Sequence, residues 1–491
     1  MSFFISQIPA LIVSVPLFCA PLCVISNHKF FSWFIALIAT LFCFVCSIFL
    51  FLNIQENIVI SYAMGQWLAP WGIEFRIDKL NSFLILIVSF FALYACFFGL
   101  KSLKNEIEES KISLFWTSYL LCITGLLGVL ITGDAFNIFV FLEISSLATY
   151  IIIGLGRDKK ALYASFQYLI LGTMGATFIV IAIGLLYVTT GTLNLFDLSF
   201  RVKNIVDNPA LITAIAFLFV GISLKAAIFP LHTWLPNAYS YSPNVTTIFL
   251  SATATKVAIY LFFRFGYDIF GPSNIISTLS IGKIIIFLSL FAILFGSIAA
   301  YKQSNIKKMF AYSSVAQIGF ITLGIGLMNS SALTGSISYM FAHALTKGTI
   351  FALIATLIFS LKDNIDIKSI SGLVKTQPLI AFLFLISLLS LIGFPGTVGF
   401  ISKWYLILGA LQYKNILVIV IVAISSLLTI AYVWKISKLI FLSEPTKQNL
   451  NIPITMKFSC ILGSVLVICF GIFPGFLINN ANEISSILMS R

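Results

Sequence analysis

Long apolar runs separated by short polar loops recur along the whole chain. Fourteen of these runs approach or exceed the roughly 20 residues that a helix needs to cross a bilayer. They lie at residues 4–25, 30–52, 80–100, 112–132, 135–155, 162–188, 208–228, 244–265, 279–299, 309–327, 332–361, 378–412, 415–441 and 457–478. The short alternating segments that mark a membrane β-barrel do not appear. The pattern therefore predicts an all-α polytopic membrane protein with a single membrane domain, 1–491.

Composition narrows the classes of function. Of the 491 residues, 60% are hydrophobic and 9% are charged, against about 25% charged in an average soluble protein. Too few polar groups remain to cover a water-exposed surface, which excludes a soluble enzyme, a nucleic-acid-binding protein and a disordered scaffold. The eight cysteines lie in or beside apolar runs, where free cysteines generally act as small packing residues. We therefore predict no metal site and no bound cofactor.

Loop charges orient the predicted helices. When alternate loops are grouped, seventeen Lys and Arg residues fall on one face of the membrane and eight on the other. The larger group, here termed the lysine-rich face, comprises Lys29, Lys101, Lys104, Lys111, Arg157, Lys159, Lys160, Lys302, Lys307, Lys308, Lys362, Lys368, Lys375, Lys435, Lys438, Lys447 and Lys457. The smaller group comprises Arg76, Lys79, Arg201, Lys203, Arg264, Lys283, Lys414 and Arg491. Since positive loops stay in the cytoplasm, we expect both termini on the outer, periplasmic side of a bacterial inner membrane.

Four lysines remain after this grouping, and all of them fall inside predicted spans: Lys225, Lys256, Lys347 and Lys403. Glu143 is the only acid well inside a span, and Asp134 lies at the edge of one. A charged group at bilayer depth costs roughly 3 kcal/mol on insertion scales, so such residues generally mark functional sites. The buried charges are therefore the first candidates for a site.

Glu143 is expected to pair with Lys225 on a neighbouring helix. A static ion pair that pins two helices is the alternative interpretation. The functional interpretation is favoured because the lysines outnumber the acid four to one. A buried lysine without an acidic partner is able to take up and release a proton near neutral pH, whereas a lysine locked to a carboxylate is not.

The other polar residues of the spans suggest successive steps of a proton path. Lys256 lies mid-span with apolar residues on both sides, which argues against snorkelling, the usual account of a membrane lysine. His343 and Lys347 are four residues apart and share one helix face. They are candidates for consecutive relay steps, although a lone membrane histidine is more often a packing residue.

Two proline-containing breaks interrupt the pattern. The run 378–412 is too long for one straight span and carries Gly-Phe-Pro-Gly around Pro395, so it predicts two half-helices, with Lys403 on the second. A similar break at Pro230 follows Lys225. Irregular backbone at membrane depth occurs where it lines a cavity or is buried in protein. Paired breaks in the two halves of a chain indicate a transporter with internal repeats.

Two residues are accessory candidates. His232 follows the Pro230 break, and its imidazole has a structural alternative, which is to satisfy a carbonyl freed by the neighbouring prolines. Asp134 lies just ahead of the span that carries Glu143.

With these residues identified, the chain resembles the antiporter-like membrane subunits of two kinds of complex. These are respiratory NADH:quinone oxidoreductase (its L-, M- and N-type subunits) and the Mrp-type multisubunit cation/proton antiporters (their A- and D-type subunits). The most specific stretches are Lys225–Pro236, Phe341–Phe351 and Gly393–Lys403. The resemblance implies fourteen helices, with two inverted five-helix repeats and broken seventh and twelfth helices. Helices 1–3 would then occupy 4–101, the first repeat 112–265, the second repeat 279–441 and helix 14 457–478.

The resemblance also implies roles for the site residues. Glu143 and Lys225 would form a coupled pair, and Lys256 would be the central relay. His343 and Lys347 match the histidine and lysine of the eleventh helix, and Lys403 would end the path.

Within the family, the Thr-Gly-Asp-x-Phe-Asn stretch ahead of Glu143 looks most like the D-type Mrp subunits. The predicted function is therefore a proton- and cation-translocating subunit of a Mrp-type Na⁺/H⁺ antiporter, not an enzyme by itself. A proton-pumping N- or M-like subunit of NADH:quinone oxidoreductase is the alternative. The expected partners are other membrane subunits, the lipid bilayer, H⁺ and, as the candidate exchanged cation, Na⁺, with no nucleic acid.

Overall fold

The computed structural model describes residues 2–54, 59–271, 279–361, 366–445 and 451–490. Most of these residues are helical. The helices are α1 (Ser2–Ser26), α2 (Lys29–Asn53), α3 (Lys79–Glu106), α4 (Ile112–Ile131), α5 (Ala135–Gly154), α6 (Lys159–Thr190), α7 (Leu195–Arg201), α8 (Pro209–Ala226), α9 (Trp234–Tyr241), α10 (Asn244–Ala252), α11 (Ala254–Leu261), α12 (Ile281–Lys302), α13 (Ile306–Gly326), α14 (Ser330–Leu361), α15 (Leu373–Thr376), α16 (Pro378–Ile392), α17 (Val398–Gln412), α18 (Ile416–Leu442), α19 (Ile454–Ile472) and α20 (Gly475–Met489).

Thirteen helical segments within the described ranges are long and apolar enough to cross a membrane. They correspond to every predicted span except 378–412, which forms the two shorter apolar helices α16 and α17. The prediction of an all-α polytopic membrane protein is confirmed. The predicted end of the last span at 478 is wrong, because α19 stops at Ile472. Pro474 lacks an N–H group and restricts the residue before it, so α20 begins as a separate helix.

Burial separates central helices from outer ones. Most side chains of α3, α4, α10, α11, α13 and α14 are buried, whereas α1, α2, α6, α18 and α19 bury well under half of theirs. The outer helices therefore present apolar side chains to lipid. Lys256 and Lys347 lie on the central helices α11 and α14, and both are 0% exposed. Neither lysine snorkels to the membrane surface.

The first predicted break lies between α8 and α9. α8 ends at Ala226, and Ala227 adopts a left-handed conformation with φ 57°. α9 begins only at Trp234. Pro230 lies in this gap, where the missing N–H of a proline costs no helical hydrogen bond.

The second break lies between α16 and α17 and has the same form. α16 ends at Ile392, and Gly393 is left-handed with φ 88°. α17 begins at Val398, so Pro395 lies in the gap. Both proline-containing stretches thus interrupt helices as the sequence predicted.

Glycines bring two helices close together near the first break. A Cβ added to Gly221 of α8 would lie 2.7 Å from the carbonyl oxygen of Gly175 in α6. Only glycine permits this approach, as is common where membrane helices pack tightly. The contact lies one turn before Lys225 and holds the end of α8 against α6.

A short antiparallel hairpin occupies part of the polar stretch 53–79. Its strands are β1 (Ile60–Ala63) and β2 (Glu74–Ile77), and Ile60 lies opposite Ile77. This hairpin gives no recognisable signal in the sequence, because its strands are only four residues long.

Two residues that the charge count assigned to loops lie inside the protein, so that assignment is wrong. Arg264 is 7% exposed in a π-helical continuation of α11, Phe262–Ile269, and pairs with Asp78 and Asp268. Lys307 is 9% exposed in the first turn of α13. Both residues stand at the ends of apolar runs, where the sequence does not separate a helix end from a loop.

Candidate functional site

Lys225 and Glu143 form an ion pair between α8 and α5. The Lys225 Nζ lies 3.2 Å from the Glu143 Oε1 and donates a second hydrogen bond, of 2.7 Å, to the Ser146 Oγ. The lysine side chain is 4% exposed and the glutamate side chain 23%. The structure thus brings together the two residues that the sequence analysis expected to pair. The Glu143 side chain is therefore partly accessible at the protein surface, whereas the Lys225 side chain is not.

The chain around Lys225 is held by groups that replace the interrupted helix. The Ile228 amide donates to the Ser223 carbonyl at 3.0 Å. The Trp234 Nε1 donates to the Leu224 carbonyl at 2.9 Å, and its ring stacks on that of Tyr168 with the centroids 4.0 Å apart. These bonds satisfy carbonyls that the end of α8 leaves free. These hydrogen bonds therefore stabilise the break and hold Lys225 in the last turn of α8.

Lys256 lies beside a third discontinuity, which the sequence did not reveal. Thr253 separates α10 from α11 with non-helical angles of φ −121° and ψ −62°. This leaves the Ser251 carbonyl without its helical partner, and the Lys256 Nζ donates a hydrogen bond to that oxygen. A carbonyl freed at membrane depth needs such a donor, so the lysine and the break stabilise each other.

Lys347 reaches from α14 to α13. Its Nζ donates to the Phe310 carbonyl at 2.9 Å and to the Ser313 Oγ at 2.6 Å. The same Ser313 Oγ accepts a hydrogen bond of 3.2 Å from the Tyr432 hydroxyl. Ser313 therefore connects the lysine to α18.

His343 lies one helical turn before Lys347 and is 3% exposed. Neither of its ring nitrogens has a hydrogen-bond partner among the described residues. The imidazole lies within electrostatic range of both Lys256 and Lys347. A buried histidine that only packs normally has its polar atoms satisfied, so this ring has unused capacity to bind water or a proton.

Lys403 closes the series at the second break. Its Nζ donates to the carbonyls of Leu391 and Ile392 at 3.0 and 2.9 Å. These carbonyls belong to the last turn of α16, where the helix no longer supplies donors. The Nζ also lies 5.1 Å from the centroid of the Phe320 ring.

Three of the four lysines inside the predicted spans thus bind only neutral oxygen atoms. Within the described ranges, Lys225 alone among them has a carboxylate partner, while Lys256, Lys347 and Lys403 bind carbonyl or hydroxyl oxygens. An amine can donate to such oxygens in either protonation state. The arrangement therefore allows each of the three to gain or lose a proton without breaking an ion pair.

The family follows from comparison with known proteins. A family model described as "NADH:quinone oxidoreductase/Mrp antiporter, TM" matches residues 132–429, which is more than half of the chain. The chain belongs to this antiporter family. The family inferred from the sequence is confirmed, and the protein is an ion-translocating membrane subunit. The matched residues include Glu143, Lys225, Lys256, Lys347 and Lys403.

Individual members of the antiporter family come from two kinds of complex. The N-type subunit of the NADH-quinone oxidoreductase of Desulforudis audaxviator is 36% identical over 434 residues, covering 85% of this chain and 86% of the relative. The D-type subunit of the Na(+)/H(+) antiporter of Alkalihalophilus pseudofirmus is 30% identical over 408 residues, covering 82% and 81%. Among solved structures, a chain of the membrane-bound sulfane sulfur reductase, an archaeal respiratory membrane complex, superposes with a TM-score of 0.91 at 26% identity, covering 98% of both chains.

Two accessory candidates have structural explanations in this antiporter-family member. The Asp134 carboxylate accepts a hydrogen bond of 2.8 Å from the Asn137 amide and so caps the N-terminus of α5. Burial raises the pKa of the Asp134 carboxyl, and the amide hydrogen bonds oppose that rise. The His232 ring packs against Phe229 and Phe295 with the centroids 5.3 and 5.2 Å apart, and it interacts with the Pro230 backbone. That contact matches the structural alternative for His232.

The neutral partners of the lysines were not predictable from the sequence. Ser146 and Ser313 each contact a buried lysine directly. Serines are common in membrane helices as packing residues, so no signal in the sequence distinguishes these two from the others. The Ser251 carbonyl was equally hidden, because no Gly or Pro announces the break at Thr253.

Proposed function

We propose that this chain conducts protons along the buried series Glu143–Lys225, Lys256, His343–Lys347 and Lys403. The observation that carries the proposal is the contrast between the two ends of the series. Lys225 is held by a carboxylate, whereas Lys403, at the other end, binds only the carbonyls of Leu391 and Ile392. A relay controlled by an ion pair requires this contrast. The ion pair fixes the charge of the lysine at one end, and the lysine at the other end is free to change its charge.

The transfer begins with the Glu143–Lys225 pair. While the pair is closed, the carboxylate holds the Lys225 proton, since an opposite charge favours the charged form. When the pair opens, the Lys225 ammonium loses that stabilisation and gives its proton to the next acceptor. Ser146 keeps the amine in place during this change, because its hydroxyl can accept from an ammonium and donate to a neutral amine.

The middle of the path runs through the centre of the bundle. Lys256, His343 and Lys347 lie on the central helices α11 and α14, within electrostatic range of one another. A proton on one of them disfavours a proton on the next. When a proton arrives at one of these residues, its repulsion therefore drives the proton already on the neighbouring residue onward, toward Lys403 at the second break.

We also propose that residues 112–265 and 279–441 form two repeats of five helices. The two proline-containing breaks support this division, because each consists of a helix end, a left-handed residue and a second half-helix. On this proposal the lysine-rich face is cytoplasmic and both termini are outside.

For the host complex we propose a Mrp-type cation/proton antiporter, in which this chain takes the place of the D-type subunit and exchanges Na⁺ for H⁺. The stretch Thr132–Asn137 ahead of Glu143 and the 30% identity to a D-type antiporter subunit support it. A respiratory complex is the second candidate, favoured by the 36% identity to an N-type oxidoreductase subunit. In both, energy coupling comes from other subunits. Purification of the native complex distinguishes them, since a respiratory host carries redox centres and an antiporter does not.

The proposed function is tested with Glu143→Gln in membrane vesicles that contain the assembled complex. Glutamine keeps the size and the hydrogen bond to Lys225 but cannot hold its charge, so proton flux should fall by about 10²-fold, within the range of a positioned proton-transfer group. Glu109→Gln is the matched control, because Glu109 is an exposed acid paired with Lys29. Normal flux in Glu143→Gln at equal amounts of complex would contradict the proposal.

A further inference from the structure

A polar cavity of about 540 Å³ lies at the lysine-rich face, where α3 ends and α10 and α13 begin. Exposed residues, including Arg157, form part of its wall, and Asp158 lines it beside them. Its inner wall includes Glu106, Asn244 and Lys307. None of these three belongs to the series from Glu143 to Lys403.

Glu106 is anchored to the start of the helix that leads to Lys256. Its carboxylate accepts hydrogen bonds from the Asn244 backbone N–H at 2.5 Å and from the Asn244 Nδ2 at 3.0 Å. It also accepts from the Ser102 hydroxyl at 2.5 Å, within its own helix. The N-terminus of a helix stabilises a carboxylate through its free N–H groups and its dipole. Glu106 thus connects the last turn of α3 to the first turn of α10.

Lys307 faces this carboxylate across the cavity. Its Nζ donates to the Ser242 carbonyl at 3.2 Å and lies within electrostatic range of Glu106. Among the described residues no direct ion pair joins the two, and the Oδ1 of Asn244, a residue that is 2% exposed, has no partner. Opposite charges that line one cavity without direct contact, together with an unsatisfied acceptor on a residue bonded to one of them, form a site for water.

Buried hydroxyl groups occur in the segment 239–256, which runs from this cavity to Lys256. The Ser242 and Thr247 hydroxyls are hydrogen-bonded at 2.8 Å. Farther in, the Tyr239 hydroxyl donates to the Leu250 carbonyl at 3.2 Å, and the next carbonyl along the chain, that of Ser251, binds the Lys256 amine. Hydroxyl groups can both accept and donate, so together with water they support proton movement.

We propose that Glu106 is the group through which Lys256 exchanges protons with the lysine-rich face, with Lys307 as its counter-charge. The inference rests on the proposed function and extends it to the route of access. The carboxylate takes a proton from a hydronium ion in the cavity and releases water. The carboxyl then passes the proton inward to the neutral Lys256 amine through water molecules and the hydroxyls of Ser242, Thr247 and Tyr239. Release runs through the same steps in reverse. The nearby ammonium of Lys307 makes the cavity unfavourable for a metal cation, which is why a proton is the proposed occupant.

Glu106→Gln in the assembled complex tests this inference. Glutamine fits the position, because its Oε1 can keep the bond from the Asn244 N–H. Its amide nitrogen can donate to the unpartnered Asn244 Oδ1 once that side-chain amide turns over. Glu108→Gln is the matched control. Glu108 follows Glu106 by two residues, is exposed, and pairs with Lys111. Ser102→Ala removes a hydrogen bond to Glu106 but leaves the carboxylate, and Glu143→Gln is the reference for loss of the relay.

Proton flux is measured in vesicles at matched amounts of complex and at several concentrations of the driving cation or substrate. We expect Glu106→Gln to lose flux by about 10²-fold, while Glu108→Gln keeps wild-type flux and Ser102→Ala keeps most of it. Wild-type flux in Glu106→Gln together with loss in Glu143→Gln would overturn the inference and leave the proposed function standing. Wild-type flux in both variants would contradict the proposed function itself.

Two other results would also overturn the inference. Equal losses in Ser102→Ala and Glu106→Gln would show that the hydrogen bonds that hold the Glu106 side chain in place, not its carboxyl proton, matter. A Glu106→Gln variant with unchanged maximal flux but a higher cation concentration at half-maximal flux would make the cavity a cation-binding site.

Discussion

Gly393 and Lys403 are in direct contact across the second helix break. A Cβ added to Gly393 would lie 2.9 Å from the Lys403 Cδ. Gly393 therefore has two roles. It adopts the left-handed φ of 88° that ends α16, and its lack of a side chain leaves room for Lys403 to reach the freed carbonyls.

Gly393→Ala should displace Lys403 and lower proton flux, and Gly396→Ala should not. Both glycines have positive φ, 88° and 85°, but a Cβ on Gly396 meets nothing within 4 Å. The strain of a left-handed alanine, roughly 1–2 kcal/mol, is therefore common to both variants. Flux in vesicles, normalised to assembled complex, isolates the contact with the lysine. Equal flux in the two variants would mean that the position of Lys403 does not limit transport.

His343→Phe separates a relay histidine from a packing histidine. Phenylalanine fills similar space, and no hydrogen bond to a described residue is lost, because neither ring nitrogen has such a partner. A relay role predicts that flux falls by about 10²-fold while the thermal stability of the complex is unchanged. His28→Phe, in the loop between α1 and α2, is the control. Full activity of His343→Phe would remove the histidine from the path.

Asp134 is expected to act through the α5 cap and not as a proton carrier. Asparagine caps helices about as well as aspartate does, so Asp134→Asn should keep both stability and flux. Asp134→Ala should lower stability by about 1 kcal/mol, as loss of an N-cap generally does. Thermal unfolding of the purified complex measures the stability. Loss of flux in a stable Asp134→Asn variant would return Asp134 to the relay.

The sequence predicted the helices and the buried lysines because both follow from the cost of charge in a bilayer. Once loop charges are set aside, Lys225, Lys256, Lys347 and Lys403 are what remains. The two breaks were also predictable, because Pro230 stands shortly after a lysine and Pro395 stands between two glycines in apolar surroundings, and a proline there cannot donate a helical hydrogen bond.

The rest depended on contacts between residues distant in the chain. The break at Thr253 has no Gly or Pro to announce it, and it is stabilised by the Lys256 side chain itself. Glu106 and Lys307 resemble ordinary loop charges in the sequence, since each stands among other charged residues at a helix end. Their burial results from the way α3, α10 and α13 meet.

Lys403→Arg provides the most direct test of the central claim that the buried lysines carry mobile protons. Arginine keeps the positive charge and can still donate to the Leu391 and Ile392 carbonyls, but it does not release its proton in proteins. Lys438→Arg, at an exposed position of α18, is the matched control.

The measurement is initial proton flux in vesicles at matched amounts of complex. The relay predicts that flux falls to background in Lys403→Arg and is unchanged in Lys438→Arg. Wild-type flux in Lys403→Arg would show that Lys403 supplies only a fixed charge, and it would contradict the account.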